Sequence, residues 1–257
     1  MREIQFDPSE NAQFSRTALV LGKEALKKLA SSRVAVFGLG GVGGSAAEAL
    51  VRAGVGSIDL IDNDVVSPSN LNRQLFALNS TVGRYKTDAA AERLADINPR
   101  AVIRTHRVFI LPGNASDFDF GAFDFVIDAV DTLTAKLAIV SACREAGTPM
   151  VSSMGTGDKI DPSALYLCDV FETSVCPLAR LMRKKLRAMG IDSLRVVASR
   201  ELPLEPFEDV DAGSCPPGRR RVPGSVSFVP PVAGYLAASE AVRVITGFDP
   251  SGRRRGE

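Results

Sequence analysis

Val34-Ala35-Val36-Phe37-Gly38-Leu39-Gly40-Gly41-Val42-Gly43 decides the reading of this chain. Residues 34–37 are a short β-branched and aromatic run that stops at glycine, and residues 45–53 form an alanine-rich helix halted by Gly54. Strand, glycine turn and helix follow in that order, and the turn has the G-x-G-x-x-G spacing. Asp62 stands at the end of the next predicted strand, residues 57–61, about 20 residues beyond the glycines. Each part has a physical task. Bare glycines let the backbone approach a phosphate, a helix start offers unpaired N–H groups and partial positive charge, and a carboxylate accepts hydrogen bonds from ribose hydroxyls. Gly38, Gly40, Gly41, Gly43 and Asp62 are therefore the first candidate nucleotide-binding residues.

Outward from this unit the same rhythm continues. Residues 14–30 predict one or two short amphipathic helices broken at Gly22. Downstream, helices at 88–96 and 135–146 alternate with strands at 102–108, 123–129 and 150–153. Such alternation calls for an α/β fold of Rossmann-like type, a mainly parallel sheet with helices on both faces. The second half is less regular, with strands at 165–171 and 195–199, a basic amphipathic helix at 178–189 and a buried helix at 232–245. A long connection rich in proline and glycine covers 203–227. No composition break divides the chain. The expectation is one domain over 1–257, with a nucleotide-binding core at 14–157 and a substrate-side half at 158–257.

Composition narrows the classes. The chain has 257 residues, 45% hydrophobic and 24% charged, with a formal net charge of +1, an ordinary globular balance that is no electrostatic magnet for nucleic acid as a whole. Basic character is local, at Arg180, Arg183, Lys184, Lys185 and Arg187, at Arg219 to Arg221 and at Arg253 to Arg255. No run of about 18 apolar residues predicts a membrane span, and the first ten residues lack a secretory pattern, so a cytoplasmic location is expected. Cys143, Cys168, Cys176 and Cys215 form no Cys-x-x-Cys pair, which argues against a structural zinc site. Cys143 and Cys168 read as core. Cys176, just ahead of a helix, is the ambiguous one, because a thiol there can have a lowered pKa. His106, the only histidine, lies between Arg104 and Arg107 in a strand pattern and reads as a surface residue rather than a general base.

The glycine motif alone suits NAD as well as ATP. The segment after Asp62 shifts the balance, because Asp64, Asn72, Arg73, Gln74 and Lys86 follow beyond the sheet edge where ligands bind. Two cations there suit a triphosphate. One charge about 4 Å from a phosphate is worth about 4 kcal/mol at an effective dielectric near 20, before desolvation. Taken singly, each would read as a surface charge.

With these residues in place, the stretch 14–157 resembles the E1-like superfamily of activating enzymes, which includes the molybdopterin- and thiamine-pathway adenylyltransferases. The matching elements are the Gly38 to Gly43 loop, Asp62-x-Asp64, Asn72-Arg73-Gln74, Lys86 and Asp128-Ala129-Val130-Asp131. The resemblance implies that ATP is bound, with Asp62 on the ribose, Asp64 and Asn72 completing the adenosine and phosphate contacts, and Arg73 and Lys86 on the phosphates with Gln74 beside them. It implies that Asp131 holds Mg²⁺, where the residues alone also admit a helix N-cap. Arg16 corresponds to an arginine that such enzymes supply from the partner subunit, which implies a homodimer.

A narrower resemblance, to the tRNA threonylcarbamoyladenosine dehydratase family, spans 14–247. It rests on Arg16-Thr17-Ala18-Leu19, Asn72-Arg73-Gln74-Leu75-Phe76-Ala77-Leu78, Ser152-Ser153-Met154-Gly155 with Asp161-Pro162, Thr173-Ser174-Val175-Cys176-Pro177-Leu178-Ala179, and the run from Pro223 to Pro230. Phe76 stands where many relatives carry histidine. The implied substrate is tRNA carrying threonylcarbamoyladenosine, whose carboxylate is adenylated and then captured by its own ureido nitrogen. Two other readings stay open at this level: adenylation of a ubiquitin-like sulfur carrier, and a dinucleotide-dependent dehydrogenase or nucleotide sensor. Whether a sulfur-relay protein takes part is also open.

Overall fold

The structure is a computed structural model and describes residues 12–205, 207 and 222–248. Arg219 to Arg221, Arg253 to Arg255, Cys215 and most of the 203–227 connection lie outside the described residues.

Two short helices, α1 (Ser15–Leu21) and α2 (Lys23–Ser31), precede the sheet and meet at Gly22, whose φ of +88° is the break the sequence signals. The alternating core follows as β1 (Arg33–Phe37), α3 (Gly41–Ala53), β2 (Ser57–Ile61), α4 (Lys86–Ile97), β3 (Val102–His106), β4 (Phe125–Asp128), α5 (Leu133–Ala146) and β5 (Met150–Ser153). Then come β6 (Leu165–Asp169), α6 (Pro177–Ala188), β7 (Arg195–Ser199) and α7 (Val229–Thr246). The strands form one seven-stranded sheet in the order β3-β2-β1-β4-β5-β7-β6, parallel throughout except for the antiparallel β6–β7 pair. The mainly parallel α/β fold expected from the sequence is thus the one observed.

Alternation along the strands assigns the two faces. Val34, Val36, Ile58, Leu60, Phe125 and Ile127 pack with α2, α3, α4 and α7, while Ala35, Phe37, Ile61 and Val126 face α5. α6 joins that second face, burying Ala179, Met182 and Leu186 against β6 and β7. Helices α3 and α7 approach closely because Gly234 has no side chain; a Cβ there would fall 2.2 Å from the Val42 carbonyl oxygen. Cys143 and Cys168 are core residues, as expected, and burial pushes both thiols above their ordinary range.

Strand order reverses between β1 and β4. β1 leads through α3 to β2 on one side, and β4 leads through α5 to β5 on the other. A crevice opens at the carboxyl ends of the strands at such a switch point, and this is where a parallel sheet binds ligands.

Candidate functional site

A cleft of about 640 Å³ occupies that switch point. Its walls bring together Gly38, Gly40, Gly41, Asp62, Asp64, Arg73, Gln74, Lys86 and Asp131 from the sequence-predicted set. Three predicted residues lie elsewhere. Gly43 is absent from the wall, since a Cβ there would sit 1.7 Å from the Gly38 carbonyl oxygen, so its bareness serves contact between helix and turn. Asn72 is exposed beside the cleft, donating from Nδ2 to the Ser225 carbonyl (3.0 Å) and accepting from Arg73 (2.8 Å). It steadies its neighbours instead of facing the cavity. Arg16 is exposed on α1 and does not line the cleft of its own chain.

The glycines divide by cause. Gly38 has φ +88°, and a Cβ there would stand 2.8 Å from the Ala129 carbonyl oxygen; a Cβ on Gly41 would meet Pro230 at 2.8 Å. Packing within the protein therefore accounts for Gly38, Gly41 and Gly43. Gly40 differs. A Cβ on it would reach nothing nearer than Gln74 Nε2 at 3.9 Å, so it would project into open cleft. Gly40 is the N-cap of α3, no side chain caps that helix start, and the bare backbone leaves room for an anion at its N–H groups.

Asp62 is fixed by two backbone donors: Oδ2 accepts from Leu39 N–H (2.6 Å) and Oδ1 from Asp64 N–H (2.8 Å). Burial pushes its carboxyl above the usual range, opposed by Lys86 and by those N–H groups. Lys86, at the start of α4, is buried and donates to Asp64 Oδ2 at 2.7 Å, with Asp62 at 4.0 Å. Arg73 is half-buried, donates to the Ser69 carbonyl (2.9 Å) and to Asn72, and burial lowers its pKa. Asp131 stands on the wall just after β4; among the described residues no three potential His, Cys, Asp or Glu ligands gather.

The sequence reading passed over three features. Val108, Phe109 and Ile110, an apolar run just past β3, form a wall near Asp62 and Asn63 suited to a flat base. Asp128 is the last residue of β4. It and Lys136 of α5 are both fully buried and pair at 3.0 Å. Lys136 also donates to the Ser153 carbonyl (2.7 Å), and Ser152 Oγ donates to Asp128 Oδ2 (2.5 Å), which ties the ends of β4 and β5 together under the cleft. Buried Lys159 also lines the cleft. A lysine within an amphipathic helix pattern gives no local signal of burial.

Cys176, the N-cap of α6, is 2% exposed and lines the cleft near Gly155. His106 sits outside it and, where a surface residue was expected, is half-buried, with Nε2 2.8 Å from buried Asp59 and its ring edge-on to Phe118. Phe76 is buried, its ring against Gly44. Along α6, Arg180, Lys184, Lys185 and Arg187 are exposed, but Arg183 is half-buried and donates to the Thr173 carbonyl (2.8 Å), which removes it from the free basic face. No helix among the described residues is long and apolar enough to cross a membrane.

Comparison with known proteins agrees with this geometry. Residues 14–255 match the ThiF family model. The chain is 43% identical over 237 residues to the tRNA threonylcarbamoyladenosine dehydratase of Bacillus subtilis, covering 90% of this chain and 93% of that one. It is similar to the crystal structure of Escherichia coli tRNA N6-threonylcarbamoyladenosine dehydratase in complex with AMP, with a TM-score of 0.85 and 32% identity over 98% of this chain and 100% of that one. The same Escherichia coli enzyme in complex with ATP gives a TM-score of 0.83 and 32% identity, over 97% of this chain and 99% of that one. The chain belongs to the ThiF family, within its tRNA threonylcarbamoyladenosine dehydratase branch.

Proposed function

We propose that this protein is an ATP-dependent dehydratase that cyclises N6-threonylcarbamoyladenosine in tRNA. The observation that carries the reading is the cleft at the β1–β4 switch point, with its glycine turn, Asp62, Arg73 and Lys86, in a chain similar over nearly its whole length to dehydratases solved with AMP and ATP. That extent of similarity favours this reading over sulfur-carrier adenylation and over a dinucleotide enzyme. Residues 14–157 and 158–257 act as one unit, the first binding nucleotide and the second facing the tRNA.

The chemistry needs no protein nucleophile. The threonyl carboxylate attacks the α-phosphorus of ATP, an O–P bond forms, and the bond to pyrophosphate breaks. The ureido nitrogen of the same modification then attacks the acyl carbon, AMP leaves, and the nitrogen loses its proton. Both partners of the second step sit in one molecule, so the site has only to hold the adenylate and exclude water. Cys176 is not required.

The cleft residues take the following roles. Asp62, already oriented by two N–H donors, accepts from the ribose hydroxyls, and the 108–110 wall receives the base. Gly40 admits the phosphates to the start of α3, on a turn whose close packing Gly38 and Gly41 permit. Arg73, Gln74 and Lys86 contact the phosphates, with Asp64 holding Lys86 in place beforehand. Asp131 fits Mg²⁺, an ion that takes one or two carboxylates and fills its shell with phosphate oxygens and water. The ion would supply charge neutralisation on the leaving pyrophosphate.

A homodimer completes the site by bringing Arg16 from a second copy. Supporting it, α1 exposes Leu19 and Val20, and next to it an apolar groove runs between Leu21, Ala49, Ala53, Tyr235 and Val242. The exposed basic face of α6 starts at the cleft and suits tRNA phosphates. A tRNA substrate supports a cytoplasmic location for the activity. Pyrophosphate release that depends on threonylcarbamoyladenosine-bearing tRNA, with loss of one water from the nucleoside, tests the proposal; ATP turnover indifferent to that tRNA would overturn it.

A further inference from the structure

Lys159 follows a turn that the protein fixes from three directions. Asp158 has φ +57°, the left-handed region that non-glycine side chains rarely adopt. Its carboxylate accepts from Gly224 N–H (2.7 Å), its own N–H donates to the Gly224 carbonyl (2.8 Å), and its carbonyl accepts from Leu204 N–H (2.7 Å). The next residue, Lys159, is 4% exposed and lines the cleft.

The other cleft cations are engaged by protein acceptors, Lys86 by Asp64 and Arg73 by Ser69 and Asn72. Among the described residues no hydrogen bond or ion pair holds Lys159. A lysine whose side chain is largely buried at a cleft wall, with no protein counter-charge, suits an anionic ligand there. A second feature reinforces this end of the cleft. The first turn of α6 lines it, Cys176 gives that helix start no side-chain cap, and a Cβ built on Gly155 stands 3.6 Å from Cys176 Sγ. Unpaired first-turn N–H groups add positive potential there.

Topology separates this anion from the ribose end. Asp62 and the glycine turn follow β2 and β1, whereas Lys159 follows β5, across β4. We propose that Lys159 is the carboxylate receptor of the active site, a reading that rests on the function proposed above. Its ammonium pairs with the threonyl carboxylate and offsets the repulsion between that anion and the triphosphate as the two approach. Once the O–P bond forms and pyrophosphate departs, the carboxylate charge is gone and the ammonium is left beside the acyl oxygen.

The test compares an anticodon stem-loop bearing threonylcarbamoyladenosine with the same RNA carrying the methyl ester, which removes the charge and keeps the shape. Wild-type protein is expected to bind the acid about tenfold to a hundredfold more tightly than the ester, the range of a charge-assisted contact. Lys159→Met and Lys159→Gln should bring that ratio close to one with the ATP dissociation constant unchanged, and Lys159→Arg should restore most of it. A ratio unchanged in Lys159→Met, or a loss confined to ATP affinity, would overturn the assignment. If neither variant binds ATP, the lysine is structural and the assignment likewise fails. A wild-type protein that binds ATP but does not process the modified RNA would instead bring down the proposed function, and the receptor role with it.

Discussion

Replacing Lys136 by methionine removes the ammonium from a site where both charges are fully buried and 3.0 Å apart. At an effective dielectric near 20 that separation corresponds to about 5 kcal/mol of attraction. Much of it offsets the desolvation of the two ions, so the pair as a whole adds little net stability. Removing one partner is different, because Asp128 is then left with only Ser152 Oγ and the Val130 N–H as donors. Stranding a buried charge in this way costs about 3–5 kcal/mol. For a chain of this size, with about 2–4 °C per kcal/mol, Lys136→Met should lower Tm by about 6–20 °C. The double variant Lys136→Met with Asp128→Asn leaves no charge behind and should recover a large part of that loss. Thermal unfolding followed by circular dichroism at one fixed protein concentration measures both. A drop below about 2 °C for the single variant, or additive losses in the double, would refute the view that this pair ties β4 to β5 beneath the cleft.

The glycine turn offers a paired test. Gly43→Ala must displace the Gly38 carbonyl, since nothing flexible lies in the way, and should destabilise by about 3 kcal/mol or more. Gly40→Ala should leave Tm within about 2 °C yet weaken ATP binding about tenfold or more, because its Cβ enters only the space reserved for phosphate; equal effects on both properties for the two variants would count against the division. On α6, neutralising Arg180, Lys184 and Arg187 to glutamine should reduce the slope of log affinity for tRNA against log salt by about two to three. An unchanged slope would place the RNA elsewhere.

The parallel core was legible because its signals are local. β-branched runs, glycine stops and period-3.6 helices each report the state of their own segment, and all three recur at β1, α3 and β2. Boundaries failed where local rules conflict with context. Helix α3 begins at Gly41, ahead of the expected Ser45, because glycines depress helix propensity even where they start a helix. Helix α7 begins at Val229 instead of 232, since Pro230 and Pro231 occupy first-turn positions that need no N–H donor. Residues at the cleft were readable where a motif fixes them, as at Asp62, Arg73 and Lys86. Lys136 and Lys159 were not, because burial of a lysine depends on neighbours far away in sequence: Asp128 and Ser152 for the first, the cleft itself for the second. Gly43 and Asn72 belong to the motif but serve packing and support. Residues of one pattern can divide between ligand and scaffold, and the pattern does not say which does which.

The measurement that bears most directly on the account is a single-turnover reaction of the protein with ATP, Mg²⁺ and tRNA bearing threonylcarbamoyladenosine, following pyrophosphate, AMP and nucleoside mass together. The account predicts pyrophosphate and AMP release that requires the modified tRNA, and a nucleoside lighter by one water. It also predicts near-complete loss of turnover in Arg73→Ala and retained turnover in Cys176→Ala. Pyrophosphate release without any change in nucleoside mass, or activity that disappears with Cys176, would contradict it and point to an acyl acceptor other than the substrate's own ureido nitrogen.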